Sequence, residues 1–199
     1  MTRRVVVGVS GASGSVYGLM VLRLLAEIPD IETHLVMSRS AAITIRHEME
    51  VPTDAFHDLA DVVHPHNDIG ASIASGSFGV AGMIIAPCSI KTLSAVANCY
   101  SDTLMSRAAD VTLKEGRPLV LMVRETPLHL GHLRLMVDAA SAGAVIAPPV
   151  PAFYTRPHTV DDIVEHSARR ALARLGIDVS PGEWLGLRDQ FEPTDRFPR

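Results

Sequence analysis

Charge is scarce in this sequence: only 20% of its 199 residues are Asp, Glu, Lys or Arg. That is little for a chain of this size and points to surface covered by other subunits. The formal net charge is −4, which argues against binding nucleic acid through a basic surface. Cysteine is nearly absent. Cys88 and Cys99 form no CxxC, so neither a disulfide scaffold nor a zinc cluster is expected. No apolar run approaches the ~18–20 residues of a membrane span, and Met-Thr-Arg-Arg leads straight into a strand-like stretch. Neither a membrane segment nor a signal peptide is expected, and a cytoplasmic location is. Lysine is the rarest charged residue: Lys91 and Lys114 stand against sixteen arginines. Both are candidates for places where a compact ammonium is needed.

What is present is hydrophobic: 47% of the residues, enough for a sizeable core. The pattern alternates strand and helix. Val5–Val9 is a β-branched run of the kind buried on both faces of a parallel sheet. An apolar helix is predicted from Ser15 to Ala26, a strand from Glu32 to Met37 and a helix from Ser40 to Glu48. Residues 50–80, rich in Asp, His, Gly and Ser, read as loops with weak elements. Gly82–Ala86 reads as a buried strand stopped by Pro87. Helices follow at 89–97, 103–114 and 128–142, with strands at 118–123 and 143–147. Thr159 is placed to cap a last helix over 160–175, with Asp161 and Asp162 in its first turn and Gly176 stopping it. The expectation is one domain, an α/β three-layer fold with a mainly parallel sheet. Residues 1–176 form that domain, and 177–199 form a tail that packs on it or on a neighbouring subunit.

Ligands in such folds bind at the carboxyl ends of the strands. Three segments there carry chemistry. SGASGSVYG (10–18) follows the first strand and opens a helix, where small residues expose backbone N–H groups to an anion. It is not GxGxxG, and the second strand ends in Met37-Ser38 rather than an acid, which disfavours NAD. GxxxxGK[ST] and GxSxG are both missing, so a P-loop nucleotidase and a nucleophile elbow are disfavoured. APCSIKT (86–92) is a second strand end, with Ser89 as N-cap and Lys91 and Thr92 around one helix start. In the third segment (106–128), Arg107 and Lys114 lie two helical turns apart on one face, and Arg124-Glu125 follows a strand. An ordinary capped helix and a surface ion pair are the plain alternatives for these features.

In order and spacing, GASGSVYG, APCSIKTLSAVAN, SRAADVTLKEGRPLVLMVRETPL and PPVPAFYTRP resemble the UbiX/Pad1 family of flavin prenyltransferases from about residue 4 to 176. The resemblance implies a Rossmann-like flavoprotein built of trimers, commonly a homododecamer, with FMN at a subunit interface. It implies transfer of a dimethylallyl group from dimethylallyl monophosphate to N5 and C6 of reduced FMN, without metal. The prenylated FMN product then serves a UbiD-type decarboxylase. By the same resemblance Gly11, Ala12, Ser13, Ser38, Ser89, Ile90, Lys91, Thr92 and Arg124 match flavin-binding positions. Arg107, Lys114, Arg124, Glu125, Tyr154 and Arg170 match positions around the dimethylallyl phosphate. Ser13, Glu48, Glu125 and Lys114 match catalytic positions, Ser13 and Glu48 in handling the flavin proton. Fixed cations suit the charge that grows on a departing phosphate. Trp184, in the tail, is a candidate aromatic wall for the allyl cation, or an anchor for the tail.

Two residues depart from the family pattern. Cys99 stands where Gly is usual and Thr103 where Asn is usual, which bears on loop shape and subunit packing. Cys88 reads as a buried structural thiol. The rival functions are a flavin-dependent cysteine decarboxylase and a non-catalytic flavin carrier or small subunit of a decarboxylase. A metal site at His64/His66 or His129/His132 lacks a completing acid or thiol set.

Overall fold

The computed structural model describes residues 2–179. In chain order the elements are β1 (Arg3–Val9), α1 (Ser15–Ala26), β2 (Ile31–Met37), α2 (Arg39–Glu48), α3 (Asp54–His57) and β3 (Val62–His64). Then come β4 (Gly82–Cys88), α4 (Ile90–Ala97), α5 (Leu104–Lys114), β5 (Leu119–Val123), α6 (Leu130–Ser141), β6 (Val145–Ile146) and α7 (Val160–Ala173). The strands pair in parallel in the order β3-β2-β1-β4-β5-β6. The winding direction reverses between β1 and β4, which opens a crevice at their carboxyl ends. Every residue of β4 is buried, as its unbroken apolar run requires when both faces are covered. On one face Leu22 and Leu25 of α1 pack with Ala168 and Leu172 of α7. On the other, Met105 and Ala109 of α5 pack with Leu93 of α4 and Ala139 of α6.

The predicted alternation holds, with two corrections. Pro87 does not stop its strand: β4 continues to Cys88 through a cis Ala86–Pro87 peptide, with a register irregularity between Ile85 and Cys88. Proline is tolerated at such an irregularity because no ladder hydrogen bond is asked of it. Within 50–80, Val62–His64 forms an edge strand on β2. Three residues between Asp61 and Pro65 give too little alternation to read. They are held by groups far away in sequence: the Thr33 N–H and hydroxyl both donate to Asp61 (2.7 and 2.9 Å), and His34 Nδ1 meets His64 Nε2 at 2.9 Å.

The backbone accounts for both departures noted above. α4 ends in a Schellman turn, in which Tyr100 N–H donates to Ala95 O (2.8 Å) and Cys99 N–H to Val96 O (3.2 Å). Cys99 occupies the left-handed position at φ 52°, where a Cβ is strained and Gly is not. Cys99→Gly is therefore expected to raise unfolding stability by about 0.5–1 kcal/mol, after allowing for the greater unfolded-state freedom of glycine. Urea denaturation reads this directly; an unchanged midpoint would refute it. Thr103 is the N-cap of α5. Its side chain accepts from Ser106 N–H (3.3 Å), and the Ser106 hydroxyl accepts from Thr103 N–H (3.1 Å), a reciprocal capping box.

Candidate functional site

Ser10, buried at the end of β1, ties the two central strand ends together. Its N–H and hydroxyl donate to Pro87 O (3.2 and 2.8 Å), and its oxygen accepts from Ser89 N–H (2.7 Å). It lies inside the motif at 10–18, but sequence reasoning gave it no role, because nothing local shows that a serine at a strand end bonds across the sheet. Gly11 follows because a Cβ there would lie 2.2 Å from Ser40 Cβ. Ala12 closes the turn onto Ser10 O (3.0 Å). Ser38 caps α2, accepting from Ala41 N–H (3.0 Å), and Ser89 caps α4, accepting from Thr92 N–H (3.3 Å). Ile90, opening α4, packs partly buried on the core. The starts of α2, α4 and α5 converge on a cleft of about 550 Å³ whose walls include Gly11, Ser38, His66, Lys91, Thr92 and Thr103. His66, weighed in the sequence only as half of a metal pair with His64, reaches the wall from the connection after β3.

The start of α1 is not the open anion site predicted for the glycine loop. Glu48, at the end of α2, fills it: Gly14 N–H donates to Oε2 (2.9 Å) and Ser15 N–H to the same oxygen (3.0 Å). Burial raises the pKa of this carboxyl. The Ser13 side chain and the hydrogen bonds from the Ser15 and Gly14 amides outweigh that and hold it below its ordinary value. The structure thus brings Ser13 and Glu48 together. Glu48→Ala is expected to cost about 1 kcal/mol at neutral pH, no more because the carboxylate is largely open to solvent. A depressed carboxyl stabilises the fold above its unfolded pKa, and that increment is lost as pH falls through the folded value. Chemical denaturation should show wild type and variant converging as pH drops below about 4.5; a gap independent of pH would contradict the role.

The remaining candidates are not gathered in one chain. Arg124 follows β5 at the carboxyl edge, its N–H bonded to Cys88 O (3.0 Å). It lies close enough to Tyr17 of α1 to oppose the rise that burial imposes on that phenol. Glu125 accepts from Thr126 N–H (3.0 Å), not from Arg124. Arg107 and Lys114 do share a face, as their spacing predicted. Arg107 Nε donates to Ala74 O (3.3 Å), and Lys114, paired with Glu115, lies beside Gly76. Yet α5 starts at the cleft and ends at the opposite edge of the sheet, where Arg117 bonds the carbonyls of Gly76 and Phe78 (both 2.9 Å). Tyr154 Oη lies 3.3 Å from His166 Nε2 of α7, the helix that also carries Arg170. That helix packs on the other sheet face. Trp184 lies outside the described residues.

The histidine pairs do not form a metal centre: His64 meets His34, the His129 and His132 rings lie 3.6 Å apart, and no group of three or more metal-type side chains occurs among the described residues. Cys88 is fully buried and its thiol is pushed up to about 12 by burial, which removes it as a nucleophile.

A switch-point cleft ringed by serine and threonine hydroxyls, helix starts and cations is the kind of site in which an α/β protein holds a phosphorylated ligand. The Flavoprotein family model matches residues 1–169. The chain is 59% identical over 188 residues to the flavin prenyltransferase UbiX of Thauera aromatica, covering 94% of this chain and 96% of that one. Its structure is similar to that of AnUbiX (PadA1) in complex with FMN and dimethylallyl pyrophosphate (47% identity, TM-score 0.87, 89% of this chain and 94% of the other). It is also similar to the dodecameric FMN-dependent UbiX-like decarboxylase of Escherichia coli O157:H7 (46% identity, TM-score 0.89, 92% and 100%). The chain belongs to the Flavoprotein family and, within it, to the UbiX flavin prenyltransferases.

Proposed function

We propose that this chain is a flavin prenyltransferase that joins the dimethylallyl group of dimethylallyl monophosphate to N5 and C6 of reduced FMN. The prenylated FMN it releases serves a UbiD-type decarboxylase. The observation that carries the reading is 59% identity over 94% of the chain to a flavin prenyltransferase, together with a cleft that fits the cofactor. Its volume of about 550 Å³ lies in the range for cofactor sites. The hydroxyls of Ser38, Ser89 and Thr92 and the ammonium of Lys91 supply donors to a phosphate and to polar ring edges. When bound, reduced FMN would supply the nucleophilic ring and the allylic phosphate the five-carbon electrophile; the chain binds, orients and stabilises both.

Ser10 fixes the separation of the two loops, and Gly11 lets the backbone approach. Ser13 and Glu48 lie together at the start of α1 and would hold or move a proton at the flavin edge. Arg124 and Glu125 at the carboxyl edge, with Lys114, Arg107, Tyr154 and Arg170, would bind the donor phosphate. Fixed cations stabilise the charge that grows as the allylic C–O bond ionises, so the scheme assigns no step to a metal.

These residues can act together only across subunits. α5 has eleven residues, about 16 Å of helix between the cleft and Lys114. A Lys114 that reaches a phosphate beside Arg124 and Glu125 therefore comes from a neighbouring copy. α6 leaves Leu130, Leu133 and Val137 exposed along one stripe, and Phe153 is 73% exposed. Apolar side chains in such positions suit a homo-oligomer, which we take to be trimer-based and dodecameric. Residues 1–176 would form the flavoprotein domain and 177–199 a tail on it or on a neighbour, with Trp184 free to wall the donor site. No described helix is long and apolar enough to cross a membrane, and the reading places the protein in the cytoplasm.

The donor is tested anaerobically with reduced FMN. Dimethylallyl monophosphate should release one inorganic phosphate per flavin consumed, and the pyrophosphate should release no pyrophosphate. Turnover with the pyrophosphate alone would overturn the donor assignment.

A further inference from the structure

His66 lies outside every motif that carries the family resemblance, yet it stands in the cleft wall. Leu104 N–H donates to its carbonyl (3.1 Å), which fixes it against the start of α5. Its Nδ1 is buried without a hydrogen-bond partner. Three charged groups face the ring: Lys91 from α4, Arg39 from α2 and Asp102 from the connection into α5, all lining the same cleft. Glu48 already holds the amides at the start of α1, so a phosphoryl group is turned away from that helix. The cationic end of the cleft remains, at Arg39, Lys91 and His66.

We propose that His66 binds the phosphoryl group of flavin mononucleotide and thereby favours FMN over riboflavin. The inference rests on the FMN reading above. Among these charges the imidazole's pKa is held below its ordinary value, which favours the neutral ring. Burial lowers its pKa most, the Lys91 and Arg39 charges lower it further, and Asp102 offsets only part of this. The neutral ring keeps its hydrogen on Nε2, and the proton taken up enters at the unpartnered Nδ1, from which the bound phosphoryl group accepts. An arriving phosphate dianion offsets Arg39 and Lys91 and favours the imidazolium. FMN binding therefore takes up a proton from solvent, and riboflavin binding does not.

Titration calorimetry in buffers of different ionisation enthalpy tests this on the full chain. At about pH 7.5 the phosphate is already nearly all dianion, its second pKa being ~6. Any proton it gives up on binding has the opposite sign. Wild type should show net proton uptake with FMN and none with riboflavin. His66→Ala should weaken FMN about tenfold, leave riboflavin within about twofold and abolish the uptake. His66→Gln keeps a donor but does not titrate, so it should recover part of the affinity without the uptake. The wild-type uptake stands as a test even if a variant fails to fold. FMN binding by wild type with no proton uptake, or equal losses for FMN and riboflavin in His66→Ala, overturns the role of His66 and leaves the flavin reading intact. Failure of wild type to bind FMN overturns both.

Discussion

Lys114→Ala is expected to lower prenyl transfer about a hundredfold or more while leaving FMN affinity within about twofold, since one preorganised charge at a developing anion contributes that much. The two readouts separate because of where the residue sits. Lys114 closes α5 beside Gly76, at the edge of the sheet away from its own cleft, and does not line the cofactor cavity. Losing it should therefore spare the fold and the flavin. Its present partner, Glu115, is the adjacent residue on the surface, so the ammonium is given up to a neighbouring phosphate at small cost. Pre-steady-state transfer rates and flavin titrations check the pair of outcomes. A parallel loss of FMN binding would assign Lys114 a structural role instead.

Subunits carrying Lys114→Ala and subunits carrying Glu125→Gln, each nearly inactive alone, should regain activity when co-assembled. If every site takes Lys114 from one copy and Glu125 from another, random equal mixing leaves roughly one quarter of the sites intact. If both residues serve one phosphate, the geometry requires this arrangement. β5 runs from Leu119 to Val123 between the two residues, about 17 Å of strand, and Lys114 and Glu125 lie beyond its opposite ends. One chain cannot fold both onto a single phosphate. Mixed assemblies that stay at the level of the single variants would show that the two residues serve one site within one subunit, or different sites.

Much of this arrangement was legible in the sequence. Buried β-branched runs such as Val5–Val9 and capped amphipathic helices such as Val160–Ala173 are set by local pattern, and they emerged within a residue or two of expectation. β3 was not legible because its stability comes from Thr33 and His34 on another strand. The continuation of β4 through Pro87 was hidden because proline signals a break unless the register is irregular. Motif matching found the cleft residues Gly11, Ser38, Ser89, Lys91 and Thr92. It did not find Ser10 or His66, whose parts depend on partners 77 residues away in sequence at Pro87, and on the start of α5. Helical spacing put Arg107 and Lys114 on one face. Only the course of α5 through the fold shows that this face ends away from the chain's own cleft.

The account stands or falls on the mass of the flavin. FMN is bound, reduced anaerobically with dithionite and given dimethylallyl monophosphate, and the released flavin is weighed. The expected product is heavier than FMN by one five-carbon C5H8 unit, with no gain in Lys114→Ala. A flavin that binds and is reduced but never changes mass with either the monophosphate or the pyrophosphate would contradict prenyl transfer and leave a carrier or a cysteine decarboxylase in its place.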